Sequence, residues 1–178
     1  MLLTLDLSTT CTGWALSDIS GPTPKVKHFG HIKPKSTDPL PARFTTICDE
    51  IETLFELHEP GMVAIEELTH MVGAQTVRAL AGIRGAVEYH LWALHHMPVH
   101  MVRVSPCRLM FGVHQGATRA ERKADKDIIK KRVVARCHER NIQVTNYDEA
   151  DAVCLAWAFS CAQQLPQTQT KSKLKEAR

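Results

Sequence analysis

Asp6 ends the apolar run Leu2 to Leu5 and is followed at once by the hydroxyl residues Ser8, Thr9 and Thr10. Glu66 and Glu67 end a second apolar run that begins at Met62, and Asp148 and Asp151 open a third apolar stretch. On a helix, Asp148 and Asp151 share one face and Glu149 is turned away. If the first two runs are neighbouring parallel strands, Asp6 and one of the two glutamates approach each other at one edge of the sheet. Ionised carboxylates gathered at a buried edge repel one another unless a divalent cation compensates them. A donor set of oxygens alone favours Mg²⁺ or Mn²⁺ over zinc. Two such ions about 3.5–4 Å apart orient and activate a water on one side of a phosphodiester and stabilise the leaving oxygen on the other. Asp6 then reads as a metal ligand. Its simpler alternative is a cap on the turn through Ser8 and Thr9; for Asp148 it is the N-cap of a helix, and for Glu67 a solvated or ion-paired neighbour.

The elements that must position these acids follow from periodicity. Residues 1–6, 12–16 and 25–32 read as three strands around a tight first turn. Phe44, Ile47, Ile51, Leu54 and Phe55 recur at helical spacing, which predicts a helix over 41–58, ended by Glu59, Pro60 and Gly61. A buried strand over 62–67, parallel to the first, precedes a second amphipathic helix over 76–94. A strand starts after Pro98, and 106–124 reads as a mobile loop. Helices over 125–140 and from about Asp148 complete the chain, with Ala152, Val153, Leu155, Ala156 and Phe159 turned inward. The Gln-, Thr- and Lys-rich segment 163–178 is expected to be a disordered tail to a single domain over 1–162. Strands joined through helices imply right-handed crossovers, hence an α/β fold with a five-stranded mixed sheet and helices on both faces.

At 178 residues the chain is long enough for a core that needs no disulfide or structural metal. The six cysteines form no CxxC pair, so a zinc ribbon and a disulfide framework are not indicated, and most are expected to be reduced and buried. The absence of a membrane-length apolar run or a leader pattern points to the cytoplasm and to no membrane partner. The net charge of +3 is unevenly placed. Between Arg103 and Arg140 eleven basic residues face four acids, which suits either a solvated helix face or a nucleic-acid partner.

The ordered set D-L-S-T-T-C-T-G-W-A at Asp6 to Ala15, V-A-I-E-E at Val63 to Glu67, A-D-K at Ala124 to Lys126 and D-E-A-D-A at Asp148 to Ala152 resembles the RuvC Holliday junction resolvases. The resemblance spans about Met1 to Phe159 and implies an RNase H-like fold, a homodimer, and Mg²⁺- or Mn²⁺-dependent paired cleavage of branched DNA in a bacterial or phage-infected cell, with two ions per site and no small-molecule cofactor. It assigns Asp6, Glu66, Asp148 and Asp151 as catalytic metal ligands, choosing Glu66 over Glu67. It makes Lys126 a DNA-contacting lysine, with Arg108 a looser match because its spacing to the next glycine differs by one. Arg119, Arg122 and Lys123 join the DNA-binding candidates from the basic loop, and Met71 is a candidate for insertion into the junction. It also implies that the helix over 76–94, with Gly82, Gly85 and Trp92, forms the dimer contact; packing of those residues within one subunit is the alternative. Leu7, Ser8 and Thr9 replace the family's usual Pro-Gly-Ser, and the basic loop is longer than usual, departures that look like phage-encoded relatives.

Other functions compete. A nuclease for flaps or forks would keep the same acids, because loops rather than acids set the substrate. A junction-binding accessory protein would have no need of four acids. An actin-like ATPase would need a second lobe and a glycine-rich adenosine loop, for which the chain has no room. His95, His96 and His100 are expected to be surface or partly satisfied residues, and His114 is left between a phosphate contact and no role.

Overall fold

The computed structural model describes residues 1–67, 73–103, 111, 113 and 126–164, with the side chains of 128–160 in the last stretch. Five strands, β1 (Leu2–Asp6), β2 (Thr12–Asp18), β3 (Lys25–Ile32), β4 (Met62–Glu66) and β5 (Val99–Val102), form one sheet in the order β3-β2-β1-β4-β5. The meander β1-β2-β3 is antiparallel, whereas β1 pairs with β4, and β4 with β5, in parallel. Four helices, α1 (Leu40–His58), α2 (Ala74–His95), α3 (Lys126–Glu139) and α4 (Tyr147–Gln164), cover both faces.

The period of two along each strand sorts its side chains between two cores. Leu3, Leu5, Leu16, Val63 and Ile65 meet Ile47, Ile51, Leu54 and Phe55 of α1 and Ile83, Val87 and Leu91 of α2. Leu2, Ala15 and Ala64 point the other way, against Val153, Leu155, Ala156 and Phe159 of α4 and Ile129, Val133 and Cys137 of α3. The small residues Ala15, Ala64, Ala152 and Ala156 let α4 lie close on the sheet. Its inward set is the one expected from sequence.

Two further contacts hold α4 in register. The Thr4 hydroxyl, fully buried on β1, donates to the Ala152 carbonyl at 2.8 Å and lies 3.2 Å from the Ala15 carbonyl. At Gly13 the backbone of α4 comes so near that a Cβ there would stand 1.9 Å from the Asp148 carbonyl oxygen. Only glycine admits that approach.

Element boundaries differ from expectation in ways that matter locally. β4 ends at Glu66 and leaves Glu67 outside the strand, where its amide still donates to the Val102 carbonyl at 2.7 Å. α1 ends as its sequence requires, with Glu59 left-handed at φ 46° and its N–H donating to the Phe55 carbonyl. α4 reaches Gln164, two residues past the expected domain end, and 165–178 lie outside the described residues. Of the stretch read as a mobile loop only Phe111 and Val113 are described, and both are buried in the α4 core, Phe111 edge-on to Trp157 at 5.1 Å.

Gly13→Ala is expected to destabilise the protein by about 1–3 kcal/mol or more, because the atoms it meets are backbone and have no rotamer to retreat into. Chemical denaturation checks this; a loss under about 0.5 kcal/mol would show that α4 can slide without cost.

Candidate active site

The register Leu5↔Ile65 between β1 and β4 makes Asp6 and Glu66 the next residues on parallel neighbours. Both fall on the face that carries Leu2, Thr4 and Ala64, under the first turn of α4. Strand parity thereby separates Glu66 from Glu67. Glu67 instead pairs with Arg103 at 2.7 Å near the surface, the ion-paired role expected for it.

The turn after β1 does not employ Asp6 as a cap. Thr12 closes it, its hydroxyl donating to the Ser8 carbonyl at 2.8 Å and accepting from the Ser8 amide at 3.2 Å. Ser8 Oγ and Thr10 Oγ1 are 3.1 Å apart at its tip. Asp6 is left facing acids. Burial pushes its carboxyl well above the usual carboxylate range, and Asp151, Glu66 and Asp148, in that order, push it further; Asp6 and Glu66 share a hydrogen bond. Asp6 therefore lies within electrostatic reach of the other three predicted acids. Cys11 joins them: burial raises its thiol to about 12, a hydrogen bond to Asp148 and that residue's charge raise it too, and Lys33 acts in the opposite sense.

Asp148 is not the N-cap of α4. Asn146 serves there, its Oδ1 accepting from the Glu149 amide at 2.9 Å. Glu149, expected to turn away, is turned away from the four acids but into the protein, with 3% of its surface exposed. Against the cost of burial, the Thr145 amide at 2.6 Å, His31 and the Thr145 hydroxyl hold its carboxylate below the usual range. His31 Nδ1 on β3 lies 2.8 Å from Glu149 Oε1 and 3.0 Å from Asn146 Nδ2. This clamp ties the first turn of α4 to β3 and so fixes Asp148. The spacing Thr145–Glu149 with Asn146 between carries a capping signature in the sequence, but His31, 118 residues away, has no local signal.

The basic candidates fare differently. Lys126 begins α3, but its side chain is not among those described. Arg108, Arg119, Arg122, Lys123, His114 and Met71 lie outside the described residues. The histidine cluster is satisfied by its neighbours: His90 and His95 direct Nε2 at Glu52 Oε2 at 3.1 and 2.9 Å, His96 packs edge-on to Trp92 and His100 edge-on to Phe159. Cys48, Cys137 and Cys154 are buried and Cys11 half-buried, as expected for most of the cysteines.

Chemically, four oxygen-donor side chains near one sheet edge suit hard divalent cations, and the Asp6 carboxyl is raised first by burial and then by the neighbouring acids. Among the described residues no three ligating side chains already stand close enough to hold an ion, so the fit is one of chemistry rather than preset geometry.

A family model described as crossover junction endodeoxyribonuclease RuvC matches residues 2–159. The RuvC of Protochlamydia amoebophila (strain UWE25) is 26% identical over 166 residues, spanning 93% of this chain and 92% of that protein. That of Burkholderia mallei (strain NCTC 10247) is 35% identical over 85 residues, about half of each chain (48% and 47%). Among solved structures, Thermus thermophilus RuvC in complex with a Holliday junction substrate superposes with a TM-score of 0.68 at 16% identity, covering 92% of this chain and 94% of that one. That likeness fixes the fold as RNase H-like, as the sequence implied.

A carboxyl with a raised folded-state pKa stabilises the protein at pH values below its unfolded value of about 4. The contribution disappears as pH rises through the folded value. In EDTA at neutral pH, Asp6→Asn is therefore expected to melt above wild type, with the gap closing toward pH 4. Mg²⁺ is expected to raise the wild-type melting temperature more than that of the variant. Scanning calorimetry across pH would reveal it; a variant less stable than wild type at pH 7 in EDTA would contradict the assignment.

Proposed function

Because the chain belongs to the crossover junction endodeoxyribonuclease RuvC family, we propose that Asp6, Glu66, Asp148 and Asp151 hold two Mg²⁺ ions, replaceable by Mn²⁺, and that the protein resolves Holliday junctions by paired incisions. The observation that carries this reading is the convergence of three carboxylates on Asp6 from β4 and α4. When bound, the cations supply an activated water and a stabilised leaving oxygen on the two sides of the scissile phosphodiester. The protein's part is to hold the four acids in one place. Thr4 and Gly13 seat α4, Glu149 and His31 fix its first turn, and the β1–β4 register aligns Asp6 with Glu66. Cys11 keeps its proton and donates to Asp148, restricting that side chain.

DNA reaches this edge through basic side chains. Lys126, Arg108, Arg119, Arg122 and Lys123 are assigned to phosphate contacts by their charge and, for Lys126 and Arg108, by family match, and Met71 to the junction centre. Four-way DNA is selected by shape more than by base edges, since phosphate contacts carry little sequence information. No helix among the described residues is long and apolar enough to cross a membrane. The cytoplasm of a bacterium or an infected cell is where such a substrate would be met.

Symmetric incision of two strands requires two sites related by a two-fold axis, which a C2 homodimer supplies. α2 suits that role on one side only. Ile83, Val87 and Leu91 are core, while Gly85, Tyr89 and Trp92 follow one another at spacings of four and three on the outer side, Tyr89 76% and Trp92 58% exposed. Gly82 belongs to the packing within the subunit, where it lies against the Phe44 ring.

Incubation with labelled four-way, flap and linear duplex DNA in Mg²⁺, Mn²⁺ and EDTA tests the activity. Paired, metal-dependent nicks in the junction that Asp6→Asn abolishes while still binding it are expected; preferential flap cutting, or binding without cutting, would replace the reading with the corresponding alternative. Trp92→Glu is expected to convert dimers to monomers in sedimentation and to leave each junction nicked once. A dimer unaffected by the charge would move the interface elsewhere.

A further inference from the structure

The end of the edge strand β3 brings a cation toward the acidic site. β3 pairs with β2 so that His31 faces Gly13 and Ile32 faces Thr12, and one residue beyond that pairing Lys33 comes level with Cys11. Alternation along the strand sends Lys33 to the same face as His31, the face of Asp6 and α4. The electrostatics agree: the Cys11 thiol is raised by Asp148 and lowered by the Lys33 charge. Lys33 is exposed, and among the described residues no salt bridge engages it.

The backbone that carries Lys33 is held. Pro34 is buried, the Asp38 amide donates to the Lys35 carbonyl at 3.1 Å, and Arg43 of α1 reaches back with Nε to the Asp38 carbonyl at 2.8 Å and with a terminal nitrogen to the Ser36 carbonyl. An arginine spent on carbonyls fixes the turn that follows Lys33. From Lys25 to Thr37 the chain carries four lysines, two histidines and no acid.

A DNA strand whose scissile phosphate lies at the four acids has a phosphate on either side of it. The basic run from Arg103 onward starts where β5 ends, at the other edge of the sheet from β3. We propose that Lys33 binds the phosphate adjacent to the scissile one on the β3 side of the acidic centre. This rests on the nuclease reading above, and Lys33 is a substrate-binding residue, not a ligand of the ions.

The test is binding of a labelled synthetic four-way junction over a salt series in the Asp6→Asn background. Adding Lys33→Ala is expected to weaken binding about 3–10-fold near 100 mM salt and to reduce the slope of log K against log salt by about 0.9, one phosphate's share. Lys33→Arg is expected to restore the slope. In the otherwise wild-type enzyme, Lys33→Ala should raise KM for junction cleavage and leave kcat within about twofold. Lys27 lies on the same strand six residues away, about 20 Å. Lys27→Ala is expected to leave the slope unchanged. An unchanged slope in Lys33→Ala, or an equal loss in Lys27→Ala, overturns the proposal. Failure of the nuclease reading would show separately, as wild-type protein that binds the junction but never cuts it in Mg²⁺ or Mn²⁺.

Discussion

Like-charge repulsion among four carboxylates is the constraint to which the rest of this molecule answers. Two unit charges about 5 Å apart at an effective dielectric of about 20 repel by about 3 kcal/mol. A typical hydrogen bond contributes about 1 kcal/mol net. No single contact can therefore hold the acids together. The structure distributes the load: a rigid parallel register brings Asp6 beside Glu66, and α4 is fastened to three successive strands, by Thr4 on β1, by the backbone at Gly13 on β2 and by the Glu149–His31 contact on β3. What strain remains appears in the one acid at the centre, whose carboxyl keeps its proton above the usual range.

The sheet separates two tasks. On one face the strands and α4 build the acidic edge; on the other, α1 and α2 form a second core whose outer side carries Tyr89 and Trp92. A substitution on the outer surface of α2 reaches the acids only through a full layer of packed side chains and the sheet. The outer surface of α2 and the acidic edge can thus vary independently within one fold.

How much of this could be read from the sequence depended on the range of the interaction. The strand β3 was legible to the residue, and α1, α2 and α3 to within two residues at either end, because periodicity and terminators are local. The ordering of apolar runs and acids was enough for the parallel β1–β4 pair and for placing Asp6 near one of the two glutamates at a shared sheet edge, with Asp148 and Asp151 on one helix face. Glu66 and Glu67 could not be separated by pattern alone, since that depends on where β4 stops and which face it presents. Glu149 was read as turned away because helical spacing says nothing of a histidine on a distant edge strand. Gly13 was read only as part of the strand over 12–16, although its role is set by a helix that arrives more than a hundred residues later.

The seat of α4 at Gly13 is a contact of main chain with main chain. It takes no notice of which side chain stands at position 148, so the architecture and the chemistry are written in different atoms. A lineage can therefore lose its acids one at a time and still inherit an intact scaffold. The same physical fact that makes glycine irreplaceable at residue 13 leaves the neighbouring acid free to drift, and a silent, folded descendant of a nuclease is an accessible evolutionary neighbour of the working enzyme.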